Sequence, residues 1–271
     1  MTTLEAIVLG FTQGLTEFLP ISSSGHLRVV PAFLGWDDPG TGFTAVIQLG
    51  TMAAVLIYFR VDLWRIGRAW LSELRLPYRR RSTDANLGWF IVLGTIPISV
   101  FGFAFGGAIE TGTRSLYLIG STLILFSLVM VAAERVGARQ RAITEMNARD
   151  GIFIGLFQSL ALIPGVSRSG STISAGLFRG FDRLAAARYS FLLSVPAVVL
   201  SGLFELRTVG ENGSPSVWAT IVATLVAFVV GYAAIAWLLR YLSTHSLGVF
   251  VIYRVVLGVA ILILAGTGAI S

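Results

Sequence analysis

The sequence predicts an all-α polytopic membrane protein built as an inverted-topology repeat, with six transmembrane helices and two re-entrant helical hairpins. Three observations predict this fold class. Of the 271 residues, 55% are hydrophobic and 13% are charged, whereas a soluble globular domain carries about 25% charged residues. The apolar segments fall into two length classes. As helices, the longer ones would span the hydrocarbon core of a bilayer and the shorter ones would span about half of it. The two halves of the chain also share residues at a fixed separation.

Six apolar segments have the length of a membrane crossing. The hydrocarbon core is about 30 Å thick and a helix rises about 1.5 Å per residue, so a crossing needs about 20 apolar residues. The segments that meet or approach this length are Gly42–Phe59, Leu87–Ile109, Ser115–Ala133, Tyr189–Phe204, Ser216–Leu239 and Leu247–Ala265. We expect each of them to form one transmembrane helix.

Four further apolar segments are too short to cross, and they come in pairs. The pairs are Ile7–Leu19 with Leu27–Trp36, and Gly151–Ile163 with Thr172–Phe178. Each pair brackets a polar stretch that contains proline, residues 20–26 in one case and 164–170 in the other. A helix of about ten residues covers only about 15 Å, so each pair is expected to enter and leave the membrane on one side. Irregular backbone at that depth requires burial in protein or a wet cavity.

The two hairpins are related by a constant shift along the chain, since Gly155 follows Gly10 by 145 positions (155 − 10). The identical pairs at this shift are Gly10/Gly155, Gln13/Gln158, Leu15/Leu160, Ser22/Ser167, Ser24/Ser169 and Gly25/Gly170. Each half then has one hairpin and three crossings, and because three is odd the second half starts on the opposite side. The sequence therefore predicts inverted repeats over 1–135 and 150–271, within a single integral membrane domain, 1–271.

The distribution of arginine predicts the orientation. All 20 basic residues are arginine, and in this topology fifteen lie on one side: Arg60, Arg65, Arg68, Arg75, Arg79, Arg80, Arg81, Arg135, Arg139, Arg141, Arg149, Arg179, Arg183, Arg188 and Arg240. Only Arg114 and Arg207 lie on the other side. The positive-inside rule makes the arginine-rich side cytoplasmic. Both termini and the mouth of the first hairpin are then expected outside, with residues 60–81 as a cytoplasmic loop.

Composition excludes several classes of function. The chain has no cysteine and two histidines, which excludes disulfides, thiolate metal sites and a multi-histidine metal site within one chain. The net charge of +6 does not indicate nucleic-acid binding, because the arginines lie in short loops between apolar runs. The first basic residue is Arg28, so no cleavable signal peptide is expected.

Polar side chains are concentrated in the two hairpins, and together these side chains are of the types that phosphoryl transfer needs. The first contains Gln13 and Glu17 on one helix face, three serines and His26. The second places Arg168 between serines and glycines ahead of a helix expected to start near Gly170, a sequence suited to binding an anion. A serine nucleophile, an acid or base and a cation are the groups that such chemistry needs. Arg254, in the last crossing, is expected to bind a buried carbonyl or a lipid headgroup.

Two motifs identify a family resemblance. Residues 13–26, QGLTEFLPISSSGH, resemble the (E/Q)xxxE motif with serines and histidine of the undecaprenyl-pyrophosphate phosphatases, the bacitracin-resistance family. Residues 164–172, PGVSRSGST, resemble the PGxSRSxxT motif of the same family. The motifs occur in family order, and the resemblance extends over essentially the whole chain. It implies hydrolysis of undecaprenyl pyrophosphate in the bacterial cytoplasmic (inner) membrane, which recycles the lipid carrier for peptidoglycan synthesis and confers bacitracin resistance.

The resemblance also implies roles for individual residues. The implied catalytic set is Ser23, His26, Glu17 and Arg168. The expected substrate-binding set is Gln13, Ser22, Ser24, Gly165, Ser167, Ser169, Gly170 and Thr172. A divalent cation, Mg²⁺ or Ca²⁺, is implied, with Glu17 and Gln13 as candidate ligands; Gln13 stands where the family often has glutamate.

Several alternatives stay open at this point. His26 could itself be the nucleophile, with Ser23 binding phosphate, and Ser22 and Ser24 could cap helices. Glu17 and Arg168 could form a purely structural ion pair. Inverted repeats with broken helices are also a transporter architecture, so a transporter or flippase of an anionic polyprenyl phosphate is the main rival function, and an anion channel is a weaker one. The oligomeric state, with a homodimer as one option, is also open. The polyprenyl pyrophosphate and membrane lipid are the expected partners.

Overall fold

The described part of the chain is built from helices, several of them long and apolar, which confirms the predicted all-α membrane class. The computed structural model describes residues 1–112, 115–205 and 216–270. Its helices are α1 (Thr3–Phe18), α2 (Ser23–Leu34), α3 (Gly40–Tyr58), α4 (Arg60–Ser72), α5 (Thr83–Gly112), α6 (Leu116–Val136), α7 (Ala148–Ser159), α8 (Arg168–Phe178), α9 (Arg183–Glu205), α10 (Val217–Leu242) and α11 (Gly248–Gly266).

The long helices coincide with the predicted crossings. Four of those described, α5, α6, α10 and α11, are long and apolar enough to span a membrane. Helix α3 counts as a candidate span only together with α4, from which it is bent by 74°. Helix α9 is not among them; it includes Arg183 and Arg188 and buries the hydroxyls of Ser190 and Ser194. The count of six crossings therefore stays a prediction.

Large apolar side chains cover the outer surface of the long helices. The exposed fraction is 62% for Leu128 of α6, 60% for Leu225 of α10 and 63% for Val256 of α11. Water-soluble monomers rarely expose apolar patches of more than a few hundred Å², whereas lipid tails solvate such side chains at no cost. The outer surface of the bundle is therefore suited to lipid.

The paired short segments form the helix pairs α1/α2 and α7/α8. Helix α1 packs mainly against α10, and α7 packs mainly against α5, so the first helix of each pair lies on a long helix from the other half of the chain. Glycine permits both contacts. A Cβ atom on Gly10 would lie 2.4 Å from the carbonyl oxygen of Ala223, and one on Gly155 would lie 2.4 Å from that of Gly94. Small residues at helix crossings are typical of membrane proteins, where backbones approach closely.

The prediction that residues 60–81 form a loop is wrong. Residues 60–72 form helix α4, and Tyr78–Arg80 form a 3₁₀ turn. Helix α4 buries Ile66, which is 5% exposed, whereas its apolar residues Val61 and Trp64 are 68% and 73% exposed. At 13 residues the helix is too short to cross a membrane, and its arginines interrupt the long apolar runs from which the crossings were predicted.

Ion pairs connect arginines of the second half to acidic residues of the first half. Arg188 of α9 pairs with Asp62 of α4 at 3.0 Å, and Arg183 of α9 pairs with Glu134 of α6 at 2.7 Å. Both arginines belong to the fifteen that the sequence assigns to the cytoplasmic side, and their partners lie in the first half of the chain. Arg114 and Arg207 lie outside the described residues, so the fifteen-to-two distribution stays a prediction.

We expect Gly155→Ala to destabilise the protein, because the new Cβ would meet backbone atoms of Gly94, which no side-chain rotation can move. Overpacking of this kind costs about 1–3 kcal/mol. The matched control is Gly67→Ala in α4, where nothing lies within 4 Å of the added Cβ and alanine favours the helix. Thermal unfolding in detergent should give a lower midpoint for Gly155→Ala and an unchanged or higher one for Gly67→Ala. Equal midpoints would show that α5 and α7 do not approach this closely.

Candidate active site

Each hairpin turns on a serine in a left-handed backbone conformation. Ser22 has φ 77° and Ser167 has φ 74°, values that are rare for residues other than glycine and that concentrate at functional sites. Each serine is the N-cap of the helix that follows: Ser22 Oγ accepts a hydrogen bond from the Gly25 amide at 3.4 Å, and Ser167 Oγ accepts one from the Gly170 amide at 3.2 Å. Both pairs of residues were found from the 145-residue shift in the sequence.

The turns place two reactive side chains at the first positions of α2 and α8. These are Ser23 and Arg168, and both contact Glu17 near the end of α1. Ser23 Oγ donates a hydrogen bond to Glu17 Oε2 at 2.6 Å, and Arg168 Nη2 donates to Glu17 Oε1. The side chain of Glu17 is 8% exposed and that of Arg168 is 17% exposed. A hydroxyl, a carboxylate and a guanidinium are therefore in direct contact at the junction of the two hairpins.

The surroundings of this junction favour an anion. Helices α2 and α8 both begin here, and the N-terminus of a helix carries partial positive charge and amide donors that bind phosphate. Ser23 is partly exposed and Ser24 is exposed, so an anion can reach them. Ser169 is buried instead and donates through its hydroxyl to the Leu19 carbonyl at 3.0 Å, which ties one hairpin to the other.

His26 occupies a different position from the one expected of a base for Ser23. Its Nδ1 lies 2.7 Å from the carbonyl oxygen of Ser22, and its Nε2 lies 2.7 Å from the hydroxyl of Tyr253. The ring is 5% exposed. The group that holds the Ser23 hydroxyl is thus the carboxylate of Glu17, because the turn at Ser22 directs the imidazole towards α11.

The side chain of Gln13 has one oxygen atom without a hydrogen-bond partner among the described residues. Its Nε2 donates to Glu17 Oε2 at 3.2 Å, while its Oε1 is buried and has no partner in the described part of the chain. An amide oxygen is a ligand type that Mg²⁺ and Ca²⁺ accept. No cluster of three or more acidic, histidine or cysteine residues exists among the described residues, so a cation held here would take most of its ligands from elsewhere.

Two further predicted residues, Gly165 and Thr172, help to form the second hairpin and do not contact Glu17. Gly165 has φ +89°, and a Cβ there would lie 2.0 Å from Thr122 Oγ1, so only glycine fits the turn. Thr172 is not brought to Glu17. Its hydroxyl donates to the Arg168 carbonyl at 2.8 Å and lies 2.6 Å from Ser190 Oγ of α9.

Arg254 binds both turns of the site, although it was not among the site residues predicted from the sequence. Its side chain is fully buried and donates to the Pro20 carbonyl at 3.3 Å, the Gly165 carbonyl at 2.9 Å and Ser127 Oγ at 3.2 Å. The expectation of a buried carbonyl partner is confirmed, and the two carbonyls belong to different hairpins. A charge at membrane depth was the signal that marked Arg254. Tyr253 gave no such signal, because a tyrosine in an apolar run is ordinary.

Fold and site together define a polytopic α-helical membrane protein with a buried polar centre where two pairs of short helices meet. Residues 6–260 match the family described as bacitracin resistance protein BacA. The chain belongs to this family.

Curated relatives match over the full length of the chain. An undecaprenyl-diphosphatase of Nocardioides is 56% identical over 99% of this chain and 98% of its own. Proteins with the same name from Mycolicibacterium smegmatis and Thermobifida fusca are 54% and 53% identical over 100% of this chain, covering 99% and 93% of their own lengths. The resemblance read from the two motifs is thereby confirmed.

Proposed function

We propose that this protein is a membrane phosphatase that hydrolyses undecaprenyl pyrophosphate to undecaprenyl phosphate and inorganic phosphate. The reaction would recycle the carrier lipid for peptidoglycan synthesis and counter bacitracin. The observation that carries the proposal is the contact of Ser23 and Arg168 with the two oxygens of one carboxylate, Glu17. The full-length relatives named undecaprenyl-diphosphatase support the substrate.

In the first step, Ser23 Oγ attacks the terminal phosphorus and transfers its proton to Glu17. The hydroxyl already donates to this carboxylate at 2.6 Å, a distance suited to proton transfer. The Oγ–P bond forms, the anhydride P–O bond breaks, and undecaprenyl phosphate leaves with the bonding electrons. Arg168 offsets the negative charge of Glu17, which would otherwise repel the diphosphate, and the N-termini of α2 and α8 stabilise the phosphoryl oxygens.

In the second step, water replaces serine at phosphorus. The water oxygen bonds to phosphorus, the Oγ–P bond breaks, one water proton restores the Ser23 hydroxyl, and the other stays on the inorganic phosphate. Glu17 then releases to solvent the proton taken up in the first step, and the carboxylate is regenerated. The products are those of one hydrolysis.

Replacing Ser23 separates the phosphatase from its main rival. For Ser23→Ala we expect phosphate release from a polyprenyl pyrophosphate to fall by about 10³-fold or more, as for the loss of other nucleophiles. The matched control is Ser243→Ala, since Ser243 is exposed and its hydroxyl donates to the Arg240 carbonyl at 2.7 Å, away from the junction. Purified protein in detergent, assayed for inorganic phosphate, gives the measurement. Near-parental release by Ser23→Ala would contradict the proposed nucleophile, and no release by the parent chain would favour a transporter or flippase of the lipid.

We propose that Gln13 Oε1 helps to hold a divalent cation, Mg²⁺ or Ca²⁺, together with phosphate oxygens of the substrate. Such an ion would supply Lewis-acid stabilisation of the diphosphate. The unpartnered, buried oxygen of Gln13 supports this assignment. Glu17, the other candidate ligand, already contacts Ser23, Arg168 and Gln13, which supports its role as the base.

The proposed roles of Gln13 and Glu17 predict different effects on the cation concentration that gives half-maximal activity. We expect Gln13→Ala to raise the Mg²⁺ or Ca²⁺ concentration for half-maximal activity several-fold, because the variant lacks the amide oxygen. We expect Glu17→Gln to lower turnover without shifting that concentration, because its neutral amide cannot accept the serine proton. Phosphate release measured across a range of cation concentrations after EDTA treatment tests both. A shifted titration in Glu17→Gln would assign the cation to Glu17 instead.

We also propose that the chain is an inverted repeat, 1–135 and 150–271, whose active site opens to the outside. Equivalent turns with the same backbone conformation and the same capping contacts support the repeat. The ion pairs that gather Arg183 and Arg188 with acidic residues of the first half support a single arginine-rich, cytoplasmic face.

Cysteine labelling tests this orientation, because the chain has no native cysteine. Asp37 precedes α3 and Thr83 begins α5, and both are exposed. In intact cells we expect an impermeant thiol reagent to label Asp37→Cys and not Thr83→Cys, whereas both should react after the membrane is permeabilised. Labelling of position 83 alone in intact cells would reverse the orientation.

A further inference from the structure

Two adjacent residues of α11 contact the catalytic turn of the first hairpin. Arg254 donates to the Pro20 carbonyl at 3.3 Å. Tyr253 lies with its hydroxyl 2.7 Å from His26 Nε2, and its ring stacks on the imidazole with centroids 5.6 Å apart and planes 9° apart. His26 in turn contacts the Ser22 carbonyl. Helix α11 therefore supports the turn on both sides of Ile21, directly and through the imidazole.

The partners of His26 determine its tautomer. A carbonyl oxygen can only accept a hydrogen bond, so the 2.7 Å contact between Nδ1 and the Ser22 oxygen places the proton on Nδ1. In the neutral ring Nε2 is then the acceptor, and the Tyr253 hydroxyl donates to it. The Tyr253 hydroxyl, which can donate or accept, does not itself choose the tautomer; its hydrogen bond and the stacking of its ring hold the imidazole in the orientation that reaches the Ser22 carbonyl.

The tautomer matters because it holds a strained turn. The Ser22 carbonyl accepts both the backbone amide of His26, at 3.2 Å, and Nδ1, at 2.7 Å. Ser22 has φ 77°, and this conformation directs the next residue, Ser23, towards Glu17. With the proton on Nε2 instead, Nδ1 and the carbonyl oxygen would both be acceptors and would repel each other.

We propose that Tyr253 is a positioning residue that acts through His26: by holding the imidazole in the orientation in which Nδ1–H reaches the Ser22 carbonyl, it holds the Ser22 turn and keeps Ser23 aligned on Glu17. The proposal rests on the phosphatase function proposed above. It explains the burial of His26 without requiring the imidazole to contact the Ser23 hydroxyl, whose partner is Glu17.

Tyr253→Phe removes the hydroxyl and keeps the stacked ring, so the fold is expected to be retained. We expect kcat for a polyprenyl pyrophosphate to fall by about 10- to 100-fold, in the range that misplacement of a reacting group costs, with KM changed less than about twofold. The matched control is Tyr117→Phe, which removes another tyrosine hydroxyl that contacts α11, at the Ala265 carbonyl, 3.0 Å away. The control should keep the parental kcat, and the thermal midpoint of each variant should confirm folding.

Nitrogen-15 NMR of histidine-labelled protein reads the hydrogen bonds of both ring nitrogens directly and independently of activity. The chain has two histidines, so a His245→Gln background leaves the signal of His26 alone. We expect the parent to show a protonated Nδ1 and an unprotonated Nε2. In Tyr253→Phe we expect the Nδ1–H signal to shift, because the ring is no longer held and its hydrogen bond to the Ser22 carbonyl weakens. Tyr117→Phe should match the parent.

Each result decides the proposal. A lower kcat together with a shifted Nδ1–H signal supports it. An unchanged Nδ1–H signal in Tyr253→Phe overturns it, whatever the activity, and so does a shifted signal with parental kcat. If the parent chain releases no phosphate, the phosphatase function fails, whereas the NMR comparison still shows whether Tyr253 fixes the ring.

Discussion

The site depends on one carboxylate that joins the two hairpins. Glu17 accepts from Ser23 of one hairpin and from Arg168 of the other, and both charged side chains are largely buried. Removing one partner of a buried ion pair typically costs about 3–5 kcal/mol, because the other charge is left uncompensated. The same contact therefore holds the two hairpins together and brings the hydroxyl, carboxylate and guanidinium groups to one place. A purely structural ion pair would not need the Ser23 hydroxyl on the remaining oxygen of Glu17.

Around this contact the supports come from long helices. Arg254 of α11 binds one carbonyl in each turn, Pro20 and Gly165, and Thr122 of α6 donates to the Pro164 carbonyl at 2.6 Å. Backbone groups in irregular turns at membrane depth need protein partners, since lipid offers none. The arginine and threonine thus satisfy carbonyls that the turns expose, and the close glycine contacts of α1 and α7 bring the turns within their reach.

Much of this arrangement was predictable from the sequence because it depends on length and pattern. Two apolar lengths separated the long helices from the half-membrane pairs, and the 145-residue shift identified Ser22 and Ser167 as equivalent. Spacing along the chain could not show which side chain reaches Ser23, because the left-handed turn at Ser22 decides the direction of His26. Tyr253 was missed for a related reason: apolar periodicity does not reveal which face of α11 meets a polar turn. Helix α4 was missed because its arginines interrupt the apolar pattern.

The 145-residue register also explains how two similar hairpins make one asymmetric centre. It aligns Ser23 with Arg168, the first residues of α2 and α8, so the same structural position holds a hydroxyl in one half, the proposed nucleophile, and a guanidinium in the other. It aligns Glu17 with Leu162, so only one half supplies the carboxylate. At this junction, two copies of the first hairpin would bring together two carboxylates with no arginine beside them, and two copies of the second would bring together two arginines with no carboxylate. The present pairing combines opposite charges at one junction, as the proposed attack on an anionic diphosphate requires.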